Sequence, residues 1–458
     1  MIAPVILWTD ALVFMLLGLI LAGLFSLRNN RQLMEQWRSV FSSRVGSGAF
    51  VVLMFYVIIG LLDSLHFHPV KVDAEGVRSH SPEVISLLDS LLMDLKQSTE
   101  KSYSAPFSTT LYVKETVELN GIQQRIYPAL EHRAQHLAAD DDIALDILEK
   151  GAAGLLLGLL AGGVLLQLLA WVSGKSLSGI FSRQQQVVQW RSIALTTLCV
   201  SMILGAVLTL SFFYHVLGTD KVGQDVLYLS LKSVRTGLVI GTLTTLIMLP
   251  FAITLGIMAG YYRSWVDDFI QYLYTTLNSI PGILLIAASV LMLQVLMDNN
   301  PEAFNSVEER SDARLFFLCM ILGITSWTGL CRLLRGETLK LRELDFIQAA
   351  RALGTPNRII IMRHILPNLM HIVLISVVID FSGLVLAEAV LAYVEIGVDP
   401  SMNSWGNMIN SARLEMSREP IVWWSLFAAF CFMFILVLAA NLFSDAVRDA
   451  FDPRLRSR

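Results

Sequence analysis

Nine apolar segments of membrane-spanning length run along the chain and limit the folds open to it. A helix that crosses the hydrocarbon core of a bilayer needs roughly 20 mainly apolar residues. The 458-residue chain is 55% hydrophobic and only 16% charged. The nine segments are Ala11–Leu27, Gly46–Leu62, Gly151–Val172, Ser192–Leu217, Thr236–Tyr262, Phe269–Met297, Leu315–Leu330, Leu369–Val394 and Ile421–Phe443. The sequence therefore predicts an all-α polytopic membrane protein.

The distribution of basic residues predicts how these segments are oriented. With the N-terminus outside, the inner segments are residues 28–45, 173–191, 263–268, 331–368 and 444–458. They hold nineteen Lys and Arg residues, whereas the short outer loops hold seven, which are Lys221, Lys232, Arg235, Arg310, Arg314, Arg413 and Arg418. Because Lys and Arg concentrate in short cytoplasmic loops, we expect an outside N-terminus and a cytoplasmic C-terminus. The net charge of −4 gives no reason to expect a nucleic-acid partner.

The segment Asp345–Pro367 is polar and basic, and it lies between two of the apolar segments. A first helix is predicted to open near Leu344 and to include Ala349 and Ala350. Gly354 then supplies the left-handed position that commonly closes a helix. The chain can turn sharply at this glycine.

A second short helix is predicted directly after this turn. Thr355 is a good N-cap, and Pro356 suits the first helical position, where a missing N–H costs nothing. We expect this helix to span Asn357–Ile365 and Pro367 to mark the edge of the next membrane segment. A compact helix–Gly–helix between membrane segments indicates a docking surface for another protein.

This segment resembles the EAA loop of ABC-importer permeases, which has the pattern acidic-x-x-x-Ala-Ala-x-x-x-Gly followed by a hydrophobic stretch and Leu-Pro. The matching residues are Asp345, Ala349, Ala350, Gly354, Leu366 and Pro367. His364, Pro367 and Asn368 resemble the dipeptide/oligopeptide branch in particular. The resemblance implies that residues 344–368 couple the chain to ATPase subunits, with Thr355, Pro356 and His364 inside the coupling loop.

Residues 191–458 resemble the C-type permease subunit of dipeptide/oligopeptide ABC transporters, a branch whose architecture nickel importers share. The blocks that carry the resemblance are His215–Leu227, Gly260–Asp268, Ile280–Leu285, Ser404–Met408 and Asn441–Arg456. The resemblance implies a type I importer core of six spans. Gln224, Asp380 and Glu395 depart from the family pattern, which leaves the substrate class open.

Residues 1–190 form an addition to this core. We expect two membrane helices in residues 1–66, an extracytoplasmic domain in 67–150, and a third helix with a cytoplasmic linker in 151–190. The apolar stripe of Pro82–Leu95 predicts a helix capped by Ser79 or Ser81. Ile122–Leu148 is a second helical candidate, broken by Pro128, and Thr109–Leu119 predicts one strand. The extracytoplasmic domain is therefore predicted to be small and mostly helical.

The chain lacks the sequence needed to bind ATP itself. Gly174-Lys175-Ser176 is similar to the end of a phosphate-binding loop, but the first glycine of that motif is replaced by Leu169. ATP hydrolysis is therefore expected in separate subunits, and the chain needs no cofactor. His132 and His136 lie four residues apart, a spacing that can hold a metal on a helix. Solvated surface histidines are the favoured interpretation, so no metal site is predicted.

Two acidic residues lie inside an apolar segment. Asp380 and Glu388 are eight residues apart, which places them about 80° apart on a helix. Charges at such positions are expensive and are often functional or paired. We expect them to line the translocation pathway, where Asp380 could meet a substrate ammonium group. Pairing at a helix interface is the alternative for both.

Together these features predict the permease subunit of an ATP-driven transporter that moves di- or oligopeptides across the bacterial inner membrane, with import favoured. The expected partners are a related second permease, two cytoplasmic ATPases, a periplasmic substrate-binding protein and the lipid bilayer. Export of peptides or polyamines, or nickel import, remains open on the same architecture. A membrane-bound enzyme would need a converging nucleophile or metal constellation, and the sequence offers none. A non-transporting sensor or scaffold is the remaining alternative.

Overall fold

The computed structural model describes residues 3–27, 31–72, 78–80, 84–119, 122–137, 142–181, 188–304 and 306–451. The α-helices in these ranges are α1 (Trp8–Leu27), α2 (Arg31–Val40), α3 (Arg44–Asp63), α4 (Leu87–Leu91), α5 (Met93–Gln97), α6 (Ile143–Ser173), α7 (Leu177–Phe181), α8 (Trp190–Ser211), α9 (Val226–Tyr262), α10 (Trp265–Ser279), α11 (Gly282–Asp298), α12 (Val307–Ser326), α13 (Thr328–Arg342), α14 (Asp345–Ala352), α15 (Asn357–Ile360), α16 (Leu366–Tyr393), α17 (Trp405–Glu415) and α18 (Trp424–Phe451). The strands are β1 (Ala3–Val5), β2 (His66–His68), β3 (Val70–Val72), β4 (Arg78–His80), β5 (Ile85–Ser86), β6 (Glu115–Leu119) and β7 (Ile122–Ile126).

The helical membrane fold predicted from sequence is confirmed. Seven stretches of helix among the described residues are long and apolar enough to cross a membrane: Arg44–Asp63, Ile143–Ser173, Trp190–Ser211, Val226–Tyr262, Val307–Arg342, Asn357–Tyr393 and Trp424–Phe451. An eighth predicted span is a bent pair, because α10 and α11 meet at 83°. The ninth, α1, has a shorter apolar stretch over Trp8–Gly23.

Two prolines act differently on the helices that contain them. Between α10 and α11, Ile280 has an extended backbone (φ −89°, ψ 130°) and Pro281 becomes the N-cap of α11. The proline ring disfavours helical geometry in the preceding residue, which explains the complete break. Pro250 instead lies inside the continuous helix α9. There the Thr254 hydroxyl donates to the Pro250 carbonyl, a local bond of the kind that stabilises backbone near a proline within the membrane.

The chain divides into two compact units. The first comprises the described parts of Met1–Ile6, Arg38–Gly237 and Asn403–Phe443, and the second those of Leu7–Trp37, Leu238–Met402 and Ser444–Arg458. The coupling loop lies wholly in the second unit. The domain boundaries at residues 66, 150 and 190 stay a prediction.

In the first unit, α6 and α8 pack with their backbones close together. Gly154, Gly158 and Gly162 recur every fourth residue on α6 and are buried. A Cβ atom at Gly158 would collide with the Ser201 carbonyl of α8. Small residues at this spacing let two membrane helices approach closely and gain van der Waals contact.

The expectation of a mostly helical extracytoplasmic domain is wrong. The described residues from 66 to 142 are here called the 66–142 domain. More of these residues lie in short antiparallel strands than in the two five-residue helices α4 and α5. β6 and β7 pair from Glu115↔Ile126 to Leu119↔Ile122. The strand predicted over Thr109–Leu119 is therefore present only in the second half of that range. The range Ile122–Leu148, which was predicted as helical, begins with a strand. The Asn120-Gly121 dipeptide between them, itself outside the described residues, is the sequence signal for such a hairpin.

The helix predicted over Pro82–Leu95 begins later than expected and is divided into α4 and α5. Ile85 pairs with Phe67 in a three-stranded sheet formed by β1, β2 and β5. The helix begins only at Leu87, because Ser86 caps it and forms a reciprocal capping box with Asp89. Ser79 instead lies in β4, and Ser81 lies outside the described residues.

The second unit contains an apolar core built largely from α9, α11, α12 and α16. Leu315, Leu318 and Cys319 of α12 are at most 1% exposed in this core. Helix α1 belongs to the same unit, and its Leu12 packs against the core. The Thr9 backbone N–H donates to Asp312 Oδ2 at 2.9 Å. The start of α1 is therefore hydrogen-bonded to a buried carboxylate of α12.

Candidate coupling site

Gly354 closes α14 in the left-handed conformation predicted from the sequence. Its φ is +76°, and its N–H donates to the Arg351 carbonyl at 3.0 Å. The next N–H, that of Thr355, donates to the Ala350 carbonyl at 3.1 Å. A Cβ atom at Gly354 would meet no atom within 4 Å. The requirement for glycine therefore comes from the backbone conformation and not from lack of space.

The predicted cap of the second helix is displaced by one residue. Pro356, and not Thr355, is the N-cap of α15, with φ −59° and ψ 139°. Residues before a proline are biased away from the helical region, which removes Thr355 from the helix. Asn357 is the first helical residue, and its side-chain Oδ1 accepts a hydrogen bond of 2.8 Å from the Tyr261 hydroxyl. This bond ties the second helix to the end of α9.

The second helix does not end at Ile365 as expected, whereas the place of Pro367 at the edge of the membrane segment stays a prediction. The chain is helical without interruption from Asn357 to Tyr393, and Ile361–Ile365 form a π-helical turn. The Leu366 N–H reaches back to the Ile361 carbonyl, and Pro367 has no N–H to donate. The widened turn fits the proline into the helix. Asn368 Nδ2 donates to the His364 carbonyl at 2.6 Å, so this carbonyl near the proline has a hydrogen-bond partner.

Three buried isoleucines fix the loop to the body of the second unit. Ile347, Ile360 and Ile365 are at most 1% exposed and pack in one cluster with Leu334 and Tyr274. Full burial of such a side chain contributes about 1.5–3 kcal/mol. The two short helices are therefore a rigid projection of the membrane helices and not an independent flexible loop.

Polar contacts strengthen the base of this projection. Arg335 of α13 binds Asp267 of α10 through two bonds of 2.6 and 2.7 Å. Arg342 Nη1 donates to the Tyr261 carbonyl at 2.7 Å. A bidentate arginine–carboxylate pair holds its partners in a defined geometry. These contacts join α13 to α10 and to the end of α9 at the base of the projection.

The opposite face of the loop exposes apolar side chains. Leu353 is 85% exposed, and the other exposed large apolar residues are Leu344, Phe346, Ile359 and Met362. Exposed basic side chains alternate with them: Arg351, Arg358 and Arg363. Exposed apolar side chains grouped in this way are typical of surfaces that bind another protein.

The sequence-predicted site residues fall on both faces of this loop. Asp345, Ala349, Gly354, Pro356 and Pro367 are exposed. Ala350 is half-buried against the isoleucine cluster. Thr355 is half-buried too, and the ring of His364 lies 6.2 Å from that of Phe346. All of these loop residues lie in one projection, and their role in coupling stays a prediction.

A cleft of about 360 Å³ opens beside α14. It is lined by Tyr261, Arg342, Glu343, Ile347, Gln348, Arg351 and Ala352. Glu343 is already paired with Arg263 at 2.8 Å. Arg351 forms no ion pair with any residue that the structure describes, so its guanidinium adds positive charge to this cleft. Sequence reasoning missed the cleft because it forms only when α9, α13 and α14 come together.

The two acidic residues predicted for the pathway lie on α16. Glu388 is buried, and Asp380 is half-buried. They share the helix with the coupling loop, since the helical stretch runs from Asn357 to Tyr393. Their role as pathway residues stays a prediction.

Other candidate motifs are used structurally. Gly174 adopts φ +67° and caps the C-terminus of α6, whereas a phosphate-binding loop precedes a helix. The helix assumed for His132 and His136 is wrong, since residues 131–136 form bends and one turn. His136 Nε2 contacts Asp146 Oδ2 at 3.0 Å instead.

These features define a polytopic membrane protein with a rigid helical loop that is available for contact with another protein. Residues 252–457, which include this loop, match the family model described as "Binding-protein-dependent transport system inner membrane component". The chain is 33% identical over 243 residues to the glutathione transport system permease protein GsiD of Pectobacterium atrosepticum, covering 53% of this chain and 74% of that protein.

Two further relatives are similar to the same extent. The oligopeptide transport system permease protein OppC of Mycobacterium tuberculosis is 33% identical over 243 residues, covering 53% of this chain and 77% of its own. The dipeptide transport system permease protein DppC of Alkalihalophilus pseudofirmus is 32% identical, with 53% and 73% covered. The chain belongs to the family of binding-protein-dependent transport permeases, as a C-type permease of the peptide ABC transporters. Such a subunit is non-catalytic, and the ATPase is a separate subunit.

Proposed function

We propose that this chain forms half of the passage of an importer that carries di- or oligopeptides across the bacterial inner membrane. The names of its relatives, which transport glutathione, oligopeptides and dipeptides, support a peptide substrate. A related second permease completes the passage, two ATPases dock on the two coupling loops, and a periplasmic binding protein delivers the substrate. The N-terminus lies outside and the coupling loop inside, in agreement with the nineteen-to-seven distribution of basic residues.

The observation that carries this proposal is the coupling loop itself. Its inner face is locked to the membrane helices by Ile347, Ile360 and Ile365, and its outer face presents Leu353 and Arg351. ATP-driven closure of the ATPase pair moves this projection as a lever. The helices attached to it then rock between outward-open and inward-open states, a rigid-body transition. Asp380 lines the passage, where its carboxylate attracts a peptide ammonium group, and Glu388 lies buried eight residues further along the same helix.

Uptake in cells tests the proposal. A strain lacking this chain and the same strain complemented with it are given labelled dipeptides, labelled oligopeptides and Ni²⁺. The proposal predicts that complementation restores peptide uptake alone. Restoration of Ni²⁺ uptake alone would make the chain a nickel importer, and faster loss of preloaded peptide or polyamine would make it an exporter. Either result, or transport unaffected by the deletion, contradicts the proposal.

A further inference from the structure

The 66–142 domain lies outside the matched residues 252–457, and no role follows for it from family membership. Within the first unit it contacts the segment His215–Leu227, which joins α8 to α9. Four backbone hydrogen bonds join the domain to this segment and to Phe213, which lies just before it. The donor–acceptor pairs are Glu100 N–H to Gly223 O (2.9 Å), Thr219 N–H to Ser104 O (3.1 Å), Phe107 N–H to His215 O (3.0 Å) and Ala134 N–H to Phe213 O (2.9 Å).

The shape of the segment is complementary to the domain. Gly223 has φ +81°, and a Cβ atom there would collide with the Glu100 backbone. Gly218 has φ +70°, and its Cβ would collide with the Ser104 carbonyl. Two glycines thus permit a close backbone approach that any other residue would prevent.

A buried ionic cluster lies at this contact. His215 Nδ1 is 2.7 Å from Asp225 Oδ2, and His215 Nε2 is 3.5 Å from Glu100 Oε1. Glu100 also accepts the backbone N–H groups of Glu131 and His132 at 2.8 and 2.9 Å. The side chains of His215, Asp225 and Glu100 are at most 1% exposed. Separating the domain would take the Glu100 carboxylate away from His215, whereas the His215–Asp225 pair lies within the segment and would remain.

A second buried cluster fixes the domain to the start of α9. Lys232 Nζ lies 2.5 Å from Asp63 Oδ1 and 2.9 Å from Asp89 Oδ1. The Tyr228 hydroxyl donates to Asp89 Oδ1 at 2.8 Å. Asp63 ends α3 and Asp89 belongs to α4, so this one lysine joins two parts of the N-terminal addition to α9.

We propose that the 66–142 domain is a fixed brace of the permease: it stays bound to the His215–Leu227 segment throughout the transport cycle. It neither opens as a lid nor detaches as a receptor. Its function is to hold the outer connection between α8 and α9 in one conformation while other helices move. The cycle in question is that of the proposed importer, so the inference rests on the proposed function.

A disulfide across the contact tests the brace. The Thr219 Oγ1 and Ser104 Oγ atoms are 3.2 Å apart, so cysteines at these two positions can form a disulfide. The double variant Ser104→Cys/Thr219→Cys is made with the four native cysteines replaced by alanine. The matched controls are the two single-cysteine variants. After full oxidation, the brace predicts peptide uptake at the rate of the reduced protein. Uptake that stops on oxidation and returns with reductant would show that the domain must move, and would overturn the proposal.

Thiol labelling decides the same question without any transport substrate. Ser104 is fully buried, so the Ser104→Cys single variant reports separation of the domain. With a membrane-impermeant maleimide, the brace predicts no labelling at rest or during ATP turnover by the assembled transporter. Labelling should appear in Glu100→Gln and not in the control Glu131→Gln, whose exposed pair with Lys101 contributes little. Labelling during turnover without the Glu100 change, or none with it, would contradict the brace. If peptides are not the substrate, this result still stands.

Discussion

Gly354 sets the direction in which α15 leaves α14, and its open surroundings make it an informative residue to change. Its φ of +76° is accessible to glycine at no cost, whereas another residue loses about 1–2 kcal/mol in the left-handed region. The buried isoleucines of the loop are not touched by a side chain added there. A substitution therefore changes the direction of the second helix and does not disturb the packing of the core.

Gly354→Val should reach the membrane in normal amounts but bind the ATPase subunits more weakly and transport more slowly. The matched control is Gly336→Ala on α13, which also has nothing within 4 Å but has no positive φ. Co-purification of the ATPases and uptake rate measure the effect. Wild-type docking and transport in Gly354→Val would contradict the role assigned to the turn.

Arg351 tests the charge of the docking surface. Its guanidinium faces the cleft beside α14 and has no ion-pair partner among the described residues. We expect an acidic side chain of the ATPase to enter this cleft, so Arg351→Glu should weaken docking, and more so at low salt, where charges are least screened. Arg358→Glu, a charge reversal at another exposed arginine outside the cleft lining, is the control. Equal losses in both variants, measured by co-purification at two salt concentrations, would remove the specific role of the cleft.

At the scale of elements, two local features of the backbone determine how the helices are connected. Pro281 breaks one predicted span into α10 and α11, whereas the π-helical turn at Ile361–Ile365 lets α16 continue the coupling helix into the membrane. The second feature makes the loop and a membrane helix one rigid element. The 66–142 domain, by contrast, is held to the His215–Leu227 segment and the start of α9 by buried charged side chains.

The ionic cluster of this domain should give it a defined pH range of stability. Contacts with His215 and two backbone N–H groups outweigh burial and lower the pKa of Glu100 from its ordinary 4.5 to about 2. The pKa of His215 is raised above 6.5, because Asp225 and Glu100 outweigh the effect of burial. A lowered acid pKa adds stability above pH 4.5 that is lost as pH falls through about 2. A raised histidine pKa adds stability below pH 6.5 that is lost as pH rises through its folded value.

Protection of the Glu131 and His132 amides from hydrogen exchange should therefore be greatest between pH 4.5 and 6.5 and should fall on the alkaline side. The measurement is the protection factor, which corrects for the intrinsic pH dependence of exchange. In His215→Gln the alkaline fall should disappear, since the titrating group is gone. An unchanged alkaline fall in that variant would assign the pH dependence to another group.

At the scale of the whole molecule, the sequence predicts the membrane fold well and the small domain poorly. Long apolar segments can form little except helices in lipid, so the spans follow from hydropathy. The turn at Gly354 follows from local backbone chemistry. The strands of the 66–142 domain are two to five residues long, too short for a periodic pattern to reveal. The cleft beside α14 and the Lys232 cluster need tertiary contacts between distant residues, which no local pattern contains.

The proposed orientation, with the N-terminus outside and the Asp345–Pro367 loop inside, predicts which surfaces are reachable from outside. Tyr127 is 52% exposed and Leu353 85% exposed, so both accept a label if reagent reaches them. In intact cells without the ATPase subunits, a membrane-impermeant thiol reagent should label Tyr127→Cys and not Leu353→Cys. Permeabilised cells provide the control, in which both are labelled. Labelling of Leu353→Cys alone in intact cells would invert the topology.

We propose that this chain provides a passage which separate ATPases operate through the Asp345–Pro367 projection. The most direct measurement is ATP-dependent accumulation of a labelled oligopeptide by proteoliposomes that contain this chain, the second permease and the ATPases, with binding protein supplied. Accumulation should require ATP, should be absent when this chain is omitted, and should fall in Gly354→Val but not in Gly336→Ala. The purified chain alone should show no saturable ATP binding. Accumulation without ATP, or equal accumulation in both glycine variants, would contradict the account.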